Sequence, residues 1–209
     1  MIAQSEARSW VTYIYKLAEV APTLDSQIAC EKGVGYLEAN YPSFFTHPAS
    51  TQPFAHHHAV CGLAQHTAEV IQIGLQTRAL LNLQNVIPYD AYFLAALYHD
   101  AGKVKAYTQQ PDGKWAKTQD SRWFHHIHLG VKIFEEMVAH EKLNYPTGEV
   151  QHAIMAHHGC REWGSPVSPA TPTAQLLHQS DLMSARMSDI VRGTDPLDYK
   201  NYKEGENHE

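Results

Sequence analysis

The chain has 209 residues, of which 44% are hydrophobic and 18% are charged, so it can bury a single globular core and is not a disordered chain. Its formal net charge of −6 argues against binding of nucleic acid through a broad positively charged surface. The apolar run over residues 91–98 is far too short to cross a membrane and no export signal is visible, so we expect a cytoplasmic protein with no membrane contact.

Apolar residues recur at steps of three and four along almost the whole chain, which predicts an all-α fold. We expect a bundle of about seven helices, over residues 5–21, 25–40, 63–83, 88–99, 122–142, 148–158 and 172–192. The turn signature Pro111-Asp112-Gly113 predicts a surface loop or a short hairpin over residues 107–121. Residues 1–192 are interpreted as one helical domain, and residues 193–209 are expected to form a flexible C-terminal tail.

Histidine is the unusual component of the sequence. There are 15 histidines against 16 lysines and arginines together, and most of them are clustered. Histidine is the commonest protein ligand for metal ions and the usual acid or base near neutral pH. The histidine clusters therefore predict a metal centre or an acid/base site.

The strongest local signal is the segment His99-Asp100-Ala101-Gly102-Lys103, which ends an apolar predicted helix. Other candidate ligands lie on inward-facing helix stripes or at helix ends: His66, His126, His157, His158 and Asp181. A carboxylate on an apolar stripe is costly to bury without a cation or several hydrogen bonds. The inward position predicted for Asp181 therefore favours a metal ion nearby.

This ordered series resembles the HD-domain metal-dependent phosphohydrolases. In detail it looks closest to the HD domain of the YhaM-type 3′-to-5′ exoribonucleases. The matching strings are His56-His57-His58-Ala59 with Gly62-Leu63 and His66-Thr67, Leu97-Tyr98-His99-Asp100-Ala101-Gly102-Lys103, His126-Ile127-His128-Leu129-Gly130, and Ala156-His157-His158-Gly159 continuing to Asp181. Conjugative relaxases with an N-terminal HD domain share a similar string around the first histidines, so more than one subfamily remains open.

The resemblance implies two groups of metal ligands that share one carboxylate. The first group would be His66, His99, Asp100 and Asp181. The second group would be His126, His157 and His158, with Asp100 bridging to it. The implied cofactors are two divalent ions drawn from Mn, Fe, Co, Ni or Mg. The positive charge of the two ions would outweigh the negative charge of the two carboxylates. The centre would therefore attract phosphate although the chain as a whole is acidic.

The resemblance also implies catalytic roles for Asp100 and Lys103. Asp100 would bridge the two ions, and a water activated by the metals would be the nucleophile. Lys103 looks like the family's phosphate-contacting or acid-assisting lysine, although a lysine that merely complements the helix dipole is the alternative.

Four further residues are predicted to bind substrate, and all of them except Arg161 have a simpler alternative. His57 and His58 lie in a loop, where they would contact a phosphate or form a plain surface cluster. Arg161 would pair with a phosphate, and Trp163 would stack on a base or be a buried structural side chain. In the pair His157-His158, one histidine alone could be the ligand while the other contacts substrate.

These features predict hydrolysis of a phosphoester in a nucleotide or at a nucleic-acid end. The related exoribonucleases add an OB-fold before the HD domain, whereas the residues before His66 are predicted to be mainly helical. We therefore expect a nucleotide or short oligonucleotide as the substrate, or a nucleic-acid-binding partner protein that holds a longer strand. Two alternatives are a di-iron HD-type oxygenase with nearly the same ligands and a catalytically silent nucleotide-binding domain. The sequence leaves the oligomeric state open.

Overall fold

A computed structural model describes residues 2–52, 57–143 and 145–191. The helices are α1 (Ile2–Glu19), α2 (Leu24–Asn40), α3 (Gly62–Leu80), α4 (Tyr89–Tyr98), α5 (Lys103–Ala106), α6 (Gln119–His140), α7 (Thr147–Ala156) and α8 (Pro172–Val191). Strands β1 (Tyr107–Gln109) and β2 (Trp115–Lys117) form an antiparallel hairpin, and short 3-10 turns lie at Pro42–Phe45 and Arg161–Trp163. The predicted tail and His56 lie outside the described residues.

The predicted all-α fold is confirmed. The predicted helices are present with shifted ends, and α6 begins before residue 122 because the Thr118 hydroxyl accepts a hydrogen bond from the Ser121 backbone N–H and caps the helix. The sequence left residues 107–121 open between a loop and a hairpin, and the structure forms the hairpin. The single turn α5 was not predicted, since four residues are too few for an apolar period to appear.

Helix α4 lies at the centre of the bundle. All of its residues except Asp90 are buried, and it packs against α2, α3 and α7. Because α4 is apolar on every side, the residues that follow its last turn emerge in the interior of the molecule. This placement brings His99 and Asp100 into the centre of the fold. None of the helices in the described ranges is both long and apolar enough to span a bilayer.

Helix α6 contains a break at His125, whose φ of 59° and ψ of 153° are not helical. Residues other than glycine rarely adopt a positive φ, so the backbone is strained at this point. The break immediately precedes His126, which faces the interior. A strained residue beside a candidate ligand is typical of a functional site.

Candidate metal centre

The Asp100 carboxylate lies at the meeting point of five helices or their ends. Its Oδ2 atom is 3.8 Å from Nε2 of His66 and 3.4 Å from Nε2 of His99. Its Oδ1 atom is 3.4 Å from Nε2 of His126 and 3.8 Å from Nε2 of His157. The two oxygens of one buried side chain therefore face two different groups of histidines.

The first group surrounds Asp100 Oδ2. Candidate ligand atoms of His66, His99 and Asp100 all lie within 4.8 Å of one another. Asp181 joins them from α8, with its Oδ1 atom 3.0 Å from Nε2 of His66 and 3.8 Å from Nε2 of His99. The structure thus brings together the four residues that the resemblance implied for one metal ion.

The second group lies on the other side of Asp100. Candidate ligand atoms of His126, His157 and His158 also lie within 4.8 Å of one another. Asp100 Oδ1, His157 Nε2 and both ring nitrogens of His126 are buried with no hydrogen-bond partner among the described residues. Buried polar atoms without partners are costly, and a cation bound between them would satisfy them. The donor set therefore fits a metal ion.

Backbone carbonyls fix the orientation of three histidine rings. Nδ1 of His99 lies 2.7 Å from Ala96 O, Nδ1 of His157 lies 2.7 Å from Ile154 O, and Nδ1 of His158 lies 2.8 Å from Trp163 O. Since a carbonyl oxygen only accepts hydrogen bonds, each Nδ1 carries the proton. Each neutral ring then directs the lone pair of Nε2 inward, as metal ligation requires.

The electrostatics of the site favour neutral histidines and ionised carboxylates. Burial lowers the pKa of His126 and of His157 well below the ordinary value. Burial opposes ionisation of Asp100, but Lys103 and His99 hold its pKa well below the usual range. His66 lowers the pKa of Asp181 in the same way, against the effect of burial.

His99 is the exception in this electrostatic pattern. Burial lowers its pKa, but Asp100, together with Asp181 and the Ala96 carbonyl, raises it above the ordinary value. A divalent cation in the centre would oppose this effect, because it competes with the proton for the same carboxylate and imidazole lone pairs.

Lys103, the first residue of α5, is held at the edge of this centre. Its Nζ atom lies 2.7 Å from Asp100 Oδ2 and donates a hydrogen bond of 2.7 Å to the Ala49 carbonyl. Burial lowers the pKa of the ammonium group, but Asp100, together with Tyr107 and Asp181, raises it above the ordinary value, so the group stays charged. The structure therefore supplies a fixed positive charge beside the carboxylate shared by both groups.

The four residues predicted to bind substrate occupy different environments. His57 is buried and its Nε2 atom lies 3.0 Å from Glu69 Oε2, so its ring faces another side chain rather than solvent. His58 is partly buried, and its Nδ1 atom donates to Ser50 O at 2.9 Å. For these two histidines, substrate contact stays a prediction that this geometry does not favour.

Arg161 and Trp163 lie on the exposed 3-10 turn after the histidine pair. The Trp163 carbonyl accepts the hydrogen bond from His158, which ties this turn to the second group of ligands. The Trp163 side chain is 41% exposed, so the buried structural alternative does not apply. Both side chains are therefore accessible near the centre, where their contact with substrate stays a prediction.

Sequence reasoning missed Glu69 and Ser184, which connect to His66 through hydrogen bonds. Each lies three residues after a candidate ligand on the same helix, Glu69 after His66 and Ser184 after Asp181. Residues three apart share a helix face, so this spacing is the signal that could have indicated them.

The sequence of this chain is similar to that of known proteins. The HD domain family model matches residues 63–186. The 3′-5′ exoribonuclease YhaM of Geobacillus sp. (strain WCH70) is 31% identical over 166 residues, which are 78% of this chain and 48% of that protein. The same enzyme of Bacillus subtilis (strain 168) is 30% identical over 164 residues, 77% of this chain and 49% of that protein. The chain thus spans about half the length of these curated relatives. No solved structure matches it significantly.

Proposed function

Because this chain belongs to the HD domain family, we propose that it is a metal-dependent phosphohydrolase that cleaves a phosphoester of a nucleotide or of a nucleic-acid end. The observation that carries this proposal is the position of Asp100, whose two carboxylate oxygens face two separate groups of inward-pointing histidines. The exoribonuclease relatives support a substrate that contains nucleotides.

The proposed ligands divide into two groups that share Asp100. His66, His99 and Asp181 complete the first group with Asp100, and His126, His157 and His158 form the second. When bound, two divalent ions would lower the pKa of water and stabilise the charge of a transferring phosphoryl group. Both ring nitrogens of His126 are buried without a hydrogen-bond partner among the described residues, which supports binding of a metal ion by the second group.

The protein side chains would position and neutralise the substrate. Lys103 would place its ammonium charge against a phosphoryl oxygen or assist departure of the leaving group, because it stays protonated beside Asp100. Arg161 would pair with a second phosphate, and Trp163 would provide an exposed ring on which a base can stack. The substrate would therefore be a mononucleotide or short oligonucleotide, unless a nucleic-acid-binding partner holds a longer strand.

Metal analysis followed by a hydrolysis panel tests the proposed function. The chain would be freed of metal, reloaded separately with Mn²⁺, Fe²⁺, Co²⁺, Ni²⁺ or Mg²⁺, and assayed on mononucleotides, cyclic nucleotides and short RNA or DNA. We expect close to two bound ions per chain and release of phosphate or of nucleotides with at least one metal.

The same panel separates the alternatives. Iron-dependent consumption of O₂ without phosphoester cleavage would replace the proposal with the oxygenase. Metal-loaded protein that binds nucleotides but cleaves no member of the panel would replace it with a silent binding domain.

Replacing Lys103 with methionine is expected to reduce turnover by about 10²-fold while both ions stay bound. Methionine keeps the approximate volume of the side chain but removes the charge, and a group that stabilises developing charge is worth about 2.7–4 kcal/mol. Bound metal and kcat would be measured on the same preparation. Lys114→Met, which removes an exposed ammonium on the hairpin, is the control and should leave both values unchanged. Wild-type kcat in Lys103→Met would restrict Lys103 to a structural role.

A further inference from the structure

The ring of His66 is held differently from those of the other candidate ligands. His99, His157 and His158 donate from Nδ1 to backbone carbonyls, whereas Nδ1 of His66 lies 3.0 Å from the Ser184 hydroxyl oxygen. A hydroxyl can donate or accept, so it does not fix the position of the proton on its own. The other hydrogen-bond partner of the Ser184 hydroxyl therefore decides which nitrogen of His66 carries the proton.

That partner is a carboxylate. The Ser184 hydroxyl donates to Glu69 Oε2 at 2.7 Å. The same oxygen lies 3.0 Å from Nε2 of His57, and Glu69 Oε1 accepts from the Gln65 amide at 2.9 Å. Partial burial would raise the pKa of Glu69, but the hydrogen bonds from His57, Ser184 and Gln65 lower it to about 2. Glu69 is therefore ionised and can only accept.

The direction of the two hydrogen bonds follows from this. The Ser184 hydroxyl has a single proton, which it donates in a hydrogen bond to Glu69, so its oxygen can only accept a hydrogen bond, from His66 Nδ1–H. We propose that Glu69 and Ser184 are positioning residues that hold His66 in the Nδ1–H tautomer and so direct the Nε2 lone pair at a metal ion. We call this chain of hydrogen bonds from His66 through Ser184 to Glu69 the relay. Its role rests on the proposed function, because it matters only if His66 is a metal ligand.

Without a metal ion, Asp181 competes with Ser184 for the proton of His66, because the Asp181 Oδ1 atom lies within hydrogen-bond distance of His66 Nε2. Three further acceptor atoms converge on it: Asp181 Oδ1 at 3.0 Å, His99 Nε2 at 3.4 Å and Asp100 Oδ2 at 3.8 Å. Acceptors held this close repel one another unless a positive charge lies between them. A cation bound between these atoms would take the Nε2 lone pair and leave the proton on Nδ1, which is the tautomer that Ser184 and Glu69 favour.

Replacing Ser184 with alanine tests the relay directly. Asp181→Ala removes the competing carboxylate, so in this metal-free variant at pH 8 long-range ¹H–¹⁵N spectra should show His66 in the Nδ1–H tautomer, and adding Ser184→Ala should remove this preference. His66→Asn identifies the signal by removing it. In competition with a chelator, Ser184→Ala should weaken one of the two Zn²⁺ binding steps by about 10–100-fold and leave the other unchanged.

Glu69→Ala provides a second variant that preserves the serine. Without the Glu69 carboxylate the Ser184 hydroxyl can donate to His66 Nδ1 instead, so we expect the Nε2–H tautomer and a similar loss of Zn²⁺ affinity. Ser180→Ala is the matched control, because Ser180 is equally buried on α8 but its hydroxyl donates to Leu176 O within the helix. It should change neither measurement.

The outcomes separate the relay from the proposed function. An unchanged tautomer and wild-type Zn²⁺ affinity in Ser184→Ala and Glu69→Ala would overturn the relay. If the tautomer and affinity change as expected but the wild-type protein cleaves nothing on the hydrolysis panel, the relay stands and the phosphohydrolase proposal fails.

Discussion

Replacing Asp100 with asparagine is expected to remove both bound metal ions and to reduce phosphoester turnover by at least about 10³-fold. A metal ion contributes several kcal/mol of transition-state stabilisation, and each 1.36 kcal/mol corresponds to a factor of ten. Asparagine preserves the shape of the side chain but replaces one anionic oxygen with an amide that donates. The amide would face imidazole nitrogens or a metal with the wrong polarity.

The size of this effect comes from the shared position of Asp100. Each of its carboxylate oxygens faces a different group: Oδ2 lies 3.4 Å from His99 Nε2, and Oδ1 lies 3.4 Å from His126 Nε2. Loss of an outer ligand such as His158 would weaken one group. Loss of the Asp100 charge is expected to weaken both.

Bound metal per chain, circular dichroism and turnover would be measured together for Asp100→Asn. The helical content should be retained, although Lys103 loses the carboxylate at 2.7 Å and thermal stability should fall. The double variant Asp100→Asn with Lys103→Met removes both charges and should regain part of that stability without regaining metal. Asp120→Asn, an exposed carboxylate in the first turn of α6, is the control. Turnover near wild type in Asp100→Asn would refute the proposed centre.

Helical periodicity was sufficient to predict the fold class and the inward position of the candidate ligands. His66 and His126 lie on apolar stripes of long helices, so their direction follows from spacing alone, and both are buried. The apolar segment before His99 predicted a helix, which α4 confirms. The family model and the YhaM relatives confirm the resemblance that the ordered histidines indicated.

Other features of the site depend on contacts that the sequence does not encode locally. The Glu69–Ser184 hydrogen bond joins residues 115 positions apart. The positive φ of His125 occurs at a residue with no local signal for it, since glycine or asparagine would be expected there. His57 belongs to a histidine run that looks like a surface cluster, and only its packing against Glu69 reveals that it is buried.

Replacing Gly102 with alanine is expected to destabilise the fold by about 3 kcal/mol and to weaken metal binding at the same time. A Cβ atom at this position would overlap the His126 carbonyl oxygen and lie 2.5 Å from the Gly130 nitrogen. Both neighbours are backbone atoms, which cannot rotate away as a flexible side chain can. Gly102 itself has a φ of −62°, so the requirement for glycine is one of space rather than of backbone conformation.

The contact is reciprocal, which is why its effect should reach the metal centre. A Cβ atom at Gly130 would lie 2.8 Å from the Tyr98 carbonyl oxygen. The segment that carries Asp100 therefore meets α6 backbone to backbone through two glycines, Gly102 on the segment and Gly130 on α6. Forcing these backbones apart should increase the 3.4 Å separation between Asp100 Oδ1 and His126 Nε2.

Urea unfolding and Zn²⁺ competition would be measured on Gly102→Ala. Gly148→Ala is the matched control, because a Cβ atom there meets nothing within 4 Å and the residue lies in the first turn of α7. Gly102→Ala should lose stability and metal affinity together, whereas Asp100→Asn should lose metal entirely while keeping its helical content. If Gly102→Ala kept wild-type Zn²⁺ affinity despite a lower unfolding free energy, the spacing of α6 against Asp100 would not be what sets the geometry of the second group.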